Sequence, residues 1–368
     1  MATHPPFRAE HIGSLLRPKN LIDLRRQASR GEVAPAALAT AEDRAIADAV
    51  ALQERVGLEV ATDGEFRRRS YHSYFYGRLG DVVPDAVGGE PGEPAGARGT
   101  QPRAVIRSKL RWTAPIHVAD FEYLRARTRA VPKITIPGPC AVHFRGGDKA
   151  VTASAYADVE EFWDDTVAAY RQELAALAAA GCTYVQIDET AFAKFGDPEV
   201  QASLAARGDH WSALIDRYIA VTNRVLAGAP ATLAIGMHLC RGNRGGRWHA
   251  EGSYDAVADR LFNRLAIGFF FLEYDSPRAG DFTPLRLVPA DKSIVLGLVS
   301  TKTSTLESKD ELKRRIDEAG RYLAADRLAV SPQCGFASSD QGNPITAAAQ
   351  EAKLRLVVDL AQEVWGGA

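Results

Sequence analysis

The chain has 368 residues, with 45 Lys and Arg against 46 Asp and Glu and a net charge of −1, so no field of one sign marks it for nucleic acid or an anionic membrane. No stretch approaches ~18 unbroken apolar residues, and His4, Pro5, Pro6, Arg8 and Glu10 stand where a signal peptide would need an apolar run, so the chain reads as cytoplasmic with a small-molecule partner. Four cysteines in this length exclude a disulfide scaffold and leave thiols that are buried, metal-bound or reactive.

Short β-branched or apolar runs alternate with helical segments, the rhythm of parallel strands joined by crossover helices. In chain order the expected strands are Ala9 to Ser14, Leu58 to Glu65, Lys133 to Pro139, Tyr184 to Glu189, Leu233 to Cys240, Gly268 to Asp275, Ser293 to Ser300 and Leu328 to Gly335. Thr40 with Asp43 is expected to open a helix that carries Ile46, Val50 and Val56 and stops at Gly57. Asp158 with Glu161 opens another that ends at Gly181, and Ser308 with Glu311 opens a third with Leu312, Ile316, Ala319 and Leu323 at helical spacing. A last helix is expected over Ala347 to Trp365. The stretch from Gly77 to Val118 breaks the rhythm and is expected to be an insertion after the second strand, partly loop and partly hairpin. Eight strand-helix units predict an α/β fold: a parallel, eight-stranded (βα)8 TIM barrel forming one domain over residues 1–368, a length that such a barrel of roughly 250 residues plus insertions can fill.

Nearly every expected strand ends in reactive residues, and in a barrel those ends converge on one mouth. His238 and Cys240 are two apart on a strand and share a face, and Glu273 and Cys334 end other strands of the same barrel. Two thiolates, an imidazole and a carboxylate suit tetrahedral zinc. The H-x-C spacing is common and the other two donors are distant, so spacing alone leaves a metal site and ordinary strand-end polarity both open. Cys140 and Cys182 are expected as buried small hydrophobes, and His72, His117, His143 and His249 as surface or packing residues. Glu65 and Asp188 either clamp a substrate ammonium or cap helices and pair with Arg67 and Arg68. Arg241, Arg244, Arg247 and Trp248 among glycines either bind a carboxylate, sulfonate or phosphate or form a solvated basic loop.

The chain resembles the catalytic C-terminal barrel of cobalamin-independent methionine synthase, and most closely its short, single-barrel relatives. The resemblance runs over nearly the whole chain and is carried by His11-Ile12-Gly13-Ser14, Asp63-Gly64-Glu65-Phe66-Arg67, Pro137-Gly138-Pro139, Gln186-Ile187-Asp188-Glu189, His238-Leu239-Cys240, Glu273 and Pro332-Gln333-Cys334-Gly335. It implies that His238, Cys240, Glu273 and Cys334 bind Zn2+, and that Ile12, Gly13, Ser14, Glu65 and Asp188 hold the amino-acid end of homocysteine. The chain departs from the family where the methyl donor binds. Phe144 or Arg145 stands where the family has a folate-stacking tryptophan, Lys194 replaces a folate-contacting glutamate, and Lys302 aligns with the histidine assigned as proton donor.

The implied activity is zinc-dependent alkyl transfer, most simply methyl transfer, to a small thiol such as homocysteine, with Lys302 as candidate catalytic acid. The partners are then a small thiol and a small alkyl donor, with a homo-oligomer left open. An alternative is an epoxyalkane:coenzyme M transferase, which opens an epoxide with a zinc-activated thiol. An alternative of another class is a non-catalytic zinc- or thiol-binding protein.

Overall fold

A computed structural model describes residues 4–84, 104–152 and 155–367. The described residues contain nine strands: β1 (Val60–Ala61), β2 (Val82–Pro84), β3 (Ala104–Ile106), β4 (Val131–Pro137), β5 (Tyr184–Glu189), β6 (Ala234–Leu239), β7 (Phe269–Glu273), β8 (Ser293–Val299) and β9 (Leu328–Pro332). Seven of them make one sheet, in the order β1-β4-β5-β6-β7-β8-β9, and every pairing in it is parallel. Helices separate most of these strands in sequence, and β5 to β9 carry almost unbroken runs of buried residues, as expected of a parallel sheet covered on both faces.

Alternation along the strands divides the core in two. Tyr184, Phe269, Phe271, Val295, Ala329 and Val60 pack together with Ile12 in a small inner cluster. Their sequence neighbours Val185, Phe270, Ile294 and Val330 join the large cluster that includes the helices. Gly236 makes room inside, since a Cβ there would lie 2.2 Å from the Phe269 ring.

The expected first strand, Ala9 to Ser14, is not a strand, so the sheet has seven members rather than eight. Only Ala9 bridges, to Val330 of β9, supported by Glu10 N to Val330 O at 2.9 Å and Val330 N to Arg8 O at 2.9 Å. Beyond Glu10 side chains take over the carbonyls that a ladder would use: Lys133 Nζ donates to His11 O, Gln186 Nε2 to Ile12 O at 2.6 Å and Thr62 Oγ1 to Gly13 O at 2.7 Å. With Leu15 N donating to Gly64 O at 3.1 Å, this segment links the two edge strands of the curled sheet without itself being one. A similar substitution shortens the expected second strand to Val60–Ala61, because the Gln53 amide bonds both Thr62 N and Thr62 O at 2.9 Å.

The helix expected from Thr40 begins earlier, at Pro35, which fits the first turn because its missing N–H costs nothing there. Thr40 is inside the helix, where its hydroxyl donates back to Ala36 O at 2.9 Å. The other two starts match: Asp158 accepts from Glu160 N, and Ser308 precedes the helix Lys309–Gly320, although its side chain makes no capping bond. The closing helix spans Ala347–Trp365.

In the segment expected as an insertion, β2 and β3 pair antiparallel from Val82↔Ile106 to Pro84↔Ala104, while residues 85–103 lie outside the described residues. The second strand of this hairpin ends at Ile106. The segment after it is anchored by the buried Glu173 carboxylate, which accepts from Trp112 Nε1, Ile116 N and His117 N at 2.7 to 2.9 Å. No helix among the described residues is long and apolar enough to cross a membrane.

Candidate metal centre

His238 lies at the end of β6, and Cys240 follows two residues later at the end of the strand's line. β7 ends at Glu273, and Cys334 stands two residues beyond β9. One donor atom from each lies within 4.8 Å of every other, and all four residues are buried. Cys240 Sγ and Cys334 Sγ are 3.8 Å apart, the edge expected of a tetrahedron with zinc–sulfur arms of roughly 2.3 Å. Both ring nitrogens of His238 are buried and lack a hydrogen-bond partner, a cost that a metal bond would remove. The donor set therefore fits a soft tetrahedral ion.

Outer contacts hold these ligands in place. Glu273 accepts from Arg241 N at 2.8 Å and pairs with Arg278 Nη2 at 3.1 Å, and Arg278 also binds Asp275 at 2.7 Å. Gly242 N lies 3.3 Å from Cys240 Sγ and donates to it, and at Gly242 φ is +99°, with any Cβ only 2.6 Å from the His249 ring. A hydrogen bond from Cys334, helped by His238, draws the Cys240 thiol well below the usual thiol range. Burial pushes the Glu273 carboxyl up, an effect that the Lys302 charge opposes.

A cavity of about 580 Å³ opens over the centre. Of the residues singled out by sequence, Ile12, Ser14, Glu65, Asp188, His238, Cys240 and Cys334 line it. Gly13, Glu273 and Lys302 do not: Gly13 packs under the wall with φ of 121°, and Lys302 is buried, its ammonium without a hydrogen-bond partner and its charge acting on Glu273 and Cys334. Asp188 accepts from Gln186 Nε2 at 2.7 Å, and burial raises its pKa to about 7 against the lowering influence of His238. Glu65 Oε1 accepts from Thr135 Oγ1 at 2.8 Å, and Arg68 Nη1 stands 3.7 Å away. Both carboxylates are thus buried beside the centre rather than capping helices, although the partner of Glu65 is indeed Arg68.

His72 and His249, expected as surface or packing residues, are on the cavity wall, while His117 and His143 are buried packing residues as expected. Sequence reasoning also missed Tyr71. The signal available was the polar run Arg67-Arg68-Arg69-Ser70-Tyr71-His72 directly after a strand end, in the region where barrels place ligands. Arg145 binds His72 Nε2 at 2.7 Å and the Tyr71 hydroxyl at 2.9 Å, and shares the wall with Lys194 and Arg244. Burial lowers the Lys194 ammonium to about 8. Of the basic loop after Cys240, Arg244 faces the cavity, whereas Arg241 is turned away over the Tyr254 ring, 4.2 Å from its centroid. Cys140 and Cys182 are free and buried.

A profile of the catalytic domain of cobalamin-independent synthases matches residues 7–363. The chain is 39% identical over 365 residues to the uncharacterised protein YxjH of Bacillus subtilis, covering 98% of this chain and 95% of that one. It is 25% identical over 334 residues to the methionine synthase of Pyrococcus abyssi, covering 90% and 86% of the two chains. It superposes on the structure of a candidate vitamin-B12-independent methionine synthase from Listeria monocytogenes with a TM-score of 0.74 and 32% identity, covering 99% of each chain.

Proposed function

The chain belongs to the cobalamin-independent methionine synthase family, and from that premise we propose that it is a single zinc-dependent barrel, acting in the cytoplasm, that transfers an alkyl group, most simply methyl, to a small thiol, best fitted by homocysteine. The observation that carries this reading is the convergence of four donor atoms within 4.8 Å of one another beside two buried carboxylates on one cavity. Zinc held by His238, Cys240, Glu273 and Cys334 would keep a substrate thiol deprotonated at neutral pH, where a free thiol is mostly protonated. Two thiolates and a carboxylate make the donor set electron-rich, which suits a nucleophilic sulfur better than the polarisation of a carbonyl or water.

Glu65 and Asp188 would hold the substrate ammonium, with Ile12 and Ser14 forming the floor under the amino-acid end. The carbon–sulfur bond forms as the bond from that carbon to its leaving group breaks, and the leaving group departs with the electron pair and takes up a proton. Lys302, the proton source expected from sequence, is not on the cavity wall and would act through an intervening group.

The test is metal analysis followed by product detection with homocysteine and a panel of methyl donors. About one zinc per chain and formation of methionine are expected. Full activity in zinc-free protein, or no homocysteine binding, would end this reading. The arginines on the wall favour a second reading, a sulfonate thiol attacking an epoxide as in the coenzyme M transferases. Competition between homocysteine and coenzyme M separates the two, because only homocysteine offers an ammonium to Glu65 and Asp188.

A further inference from the structure

Alkyl transfer needs a proton at the leaving group, and Lys302 is off the cavity wall, its charge falling on Glu273 and Cys334. Tyr71 is on that wall with Cys240 and Cys334, and the Cys240 charge is felt at its hydroxyl. Its backbone is fixed, since Tyr71 N donates to Ser338 O at 3.0 Å. The phenol oxygen accepts from Arg145 Nη2 at 2.9 Å, and a guanidinium offers donors only. The bond to Arg145 therefore leaves the phenolic proton undonated, and among the described residues no acceptor within hydrogen-bond geometry takes it.

Two influences act on this proton in opposite senses. Burial is the larger and pushes the hydroxyl up, which keeps it protonated at neutral pH, while Arg145 and the Thr190 hydroxyl favour the phenolate. As the proton leaves, the bond from Arg145 comes to join a cation to an anion and strengthens. That gain arises only with the transfer, so it lowers the barrier rather than the energy of the bound donor. The other acids of the wall are engaged. Glu65 and Asp188 serve the ammonium, Asp340 pairs with Arg17 and Arg25, and burial and neighbouring cations hold the His72 and His249 rings neutral. Lys194 has its charge among Cys240, Glu189 and Glu273, and it is the rival that a test must separate.

We propose that Tyr71 is the acid of the alkyl transfer: its hydroxyl gives its proton to the leaving atom of the donor, and Arg145 steadies the phenolate that results. The substrate sulfur forms its bond to carbon as the bond from that carbon to the leaving nitrogen or oxygen breaks. The leaving atom keeps that electron pair and takes the phenolic proton, and water restores the phenol when product leaves. The inference rests on the alkyl-transfer reading above.

The full zinc-loaded chain is assayed with homocysteine and two small electrophiles: 1,2-epoxypropane, whose opened oxygen must gain a proton, and iodomethane, whose iodide needs none. Tyr71→Phe is expected to lower kcat with epoxypropane roughly a hundredfold or more and to leave the iodomethane rate within about threefold. Zinc content and homocysteine affinity should match the wild type. Should Tyr71→Phe fail to fold, Arg145→Met carries the same comparison, with a loss of about tenfold confined to epoxypropane. Equal losses with both electrophiles, or no loss with either, overturn the proposal, since a merely structural tyrosine makes no distinction between leaving groups. A loss confined to epoxypropane in Lys194→Met and absent from Tyr71→Phe gives the proton to Lys194 and overturns it too. Acceleration of iodomethane alone by the wild type shows a wall without a working acid and removes Tyr71 while the alkyl-transfer reading stands. Acceleration of neither electrophile ends that reading and this proposal with it.

Discussion

Glu65 has a φ of 61°, the one positive value among the described non-glycine residues. A side chain in this region costs on the order of 1–3 kcal/mol and persists only where the surroundings hold it. Here Asp63 Oδ1 accepts from Glu65 N at 2.8 Å, and Thr135 fixes one carboxylate oxygen while the other, Oε2, is buried without a partner. Glu65 thus lines the cavity with one carboxylate oxygen left unsatisfied. Glu65→Gln should weaken homocysteine binding by roughly ten- to hundredfold, the worth of a charged hydrogen bond of about 1.5–3 kcal/mol, and leave a thiol without an amine nearly unaffected. Equal losses for both thiols would remove Glu65 from ammonium recognition. At the metal, Cys334→Ser should drop the zinc content well below one per chain and abolish turnover, because a hydroxyl is a poor ligand for a soft site. Cys140→Ser should keep its metal, since Cys140 contacts Tyr218 O and Thr222 rather than the centre. The opposite pattern in metal analysis would reassign the ligands.

At the scale of the element, what the sequence disclosed depends on whether the backbone or the side chains satisfy the hydrogen bonds. β5 to β9 were legible because hydrophobic runs and paired ladders coincide there, and their ends delivered His238, Cys240, Glu273 and Cys334 to one mouth. Residues 9–14 read as a strand for the same reason, yet Lys133, Gln186 and Thr62 from distant segments replace its ladder, and no local pattern foretells partners so far away. The wall position of His72 and His249 was not legible either: an isolated histidine carries no periodic signal, and only the assembled cavity shows that they line it. Helix starts show the same limit, since Thr40 has the chemistry of a cap but Pro35 has the geometry. Thr40→Ala should therefore change stability by less than about 0.5 kcal/mol, whereas Asp158→Ala, which loses a true capping bond, should cost about 1 kcal/mol in urea unfolding. A comparable loss at Thr40 would mean that the helix begins where the sequence pattern placed it.

Across the whole molecule, burial has set two groups of side chains to titrate in opposition between pH 5 and 7. His11, His72, His143 and His249 are held neutral mainly by desolvation, so below the ordinary value of 6.5 the unfolded chain binds protons that the folded one refuses, and stability falls with pH. Asp188 and Glu189, raised by burial to about 7, take protons in the folded state that the unfolded chain does not, so their contribution to stability grows as pH falls over the same range. The wild-type curve is a difference of these terms, and one group is best isolated by removing it. His11 suits this because it is 1% exposed, burial is the largest influence on its ring, and its charged neighbour is Lys133 rather than a metal ligand. His11→Gln deletes one proton uptake by the unfolded chain. The variant's stability relative to wild type should therefore rise as pH falls below 6.5, by up to about 1.4 kcal/mol per pH unit, until the folded protein itself protonates His11. Urea unfolding of both zinc-loaded proteins at several pH values between 5 and 7 measures that difference, and a difference that did not change with pH would show that burial does not keep the His11 ring neutral.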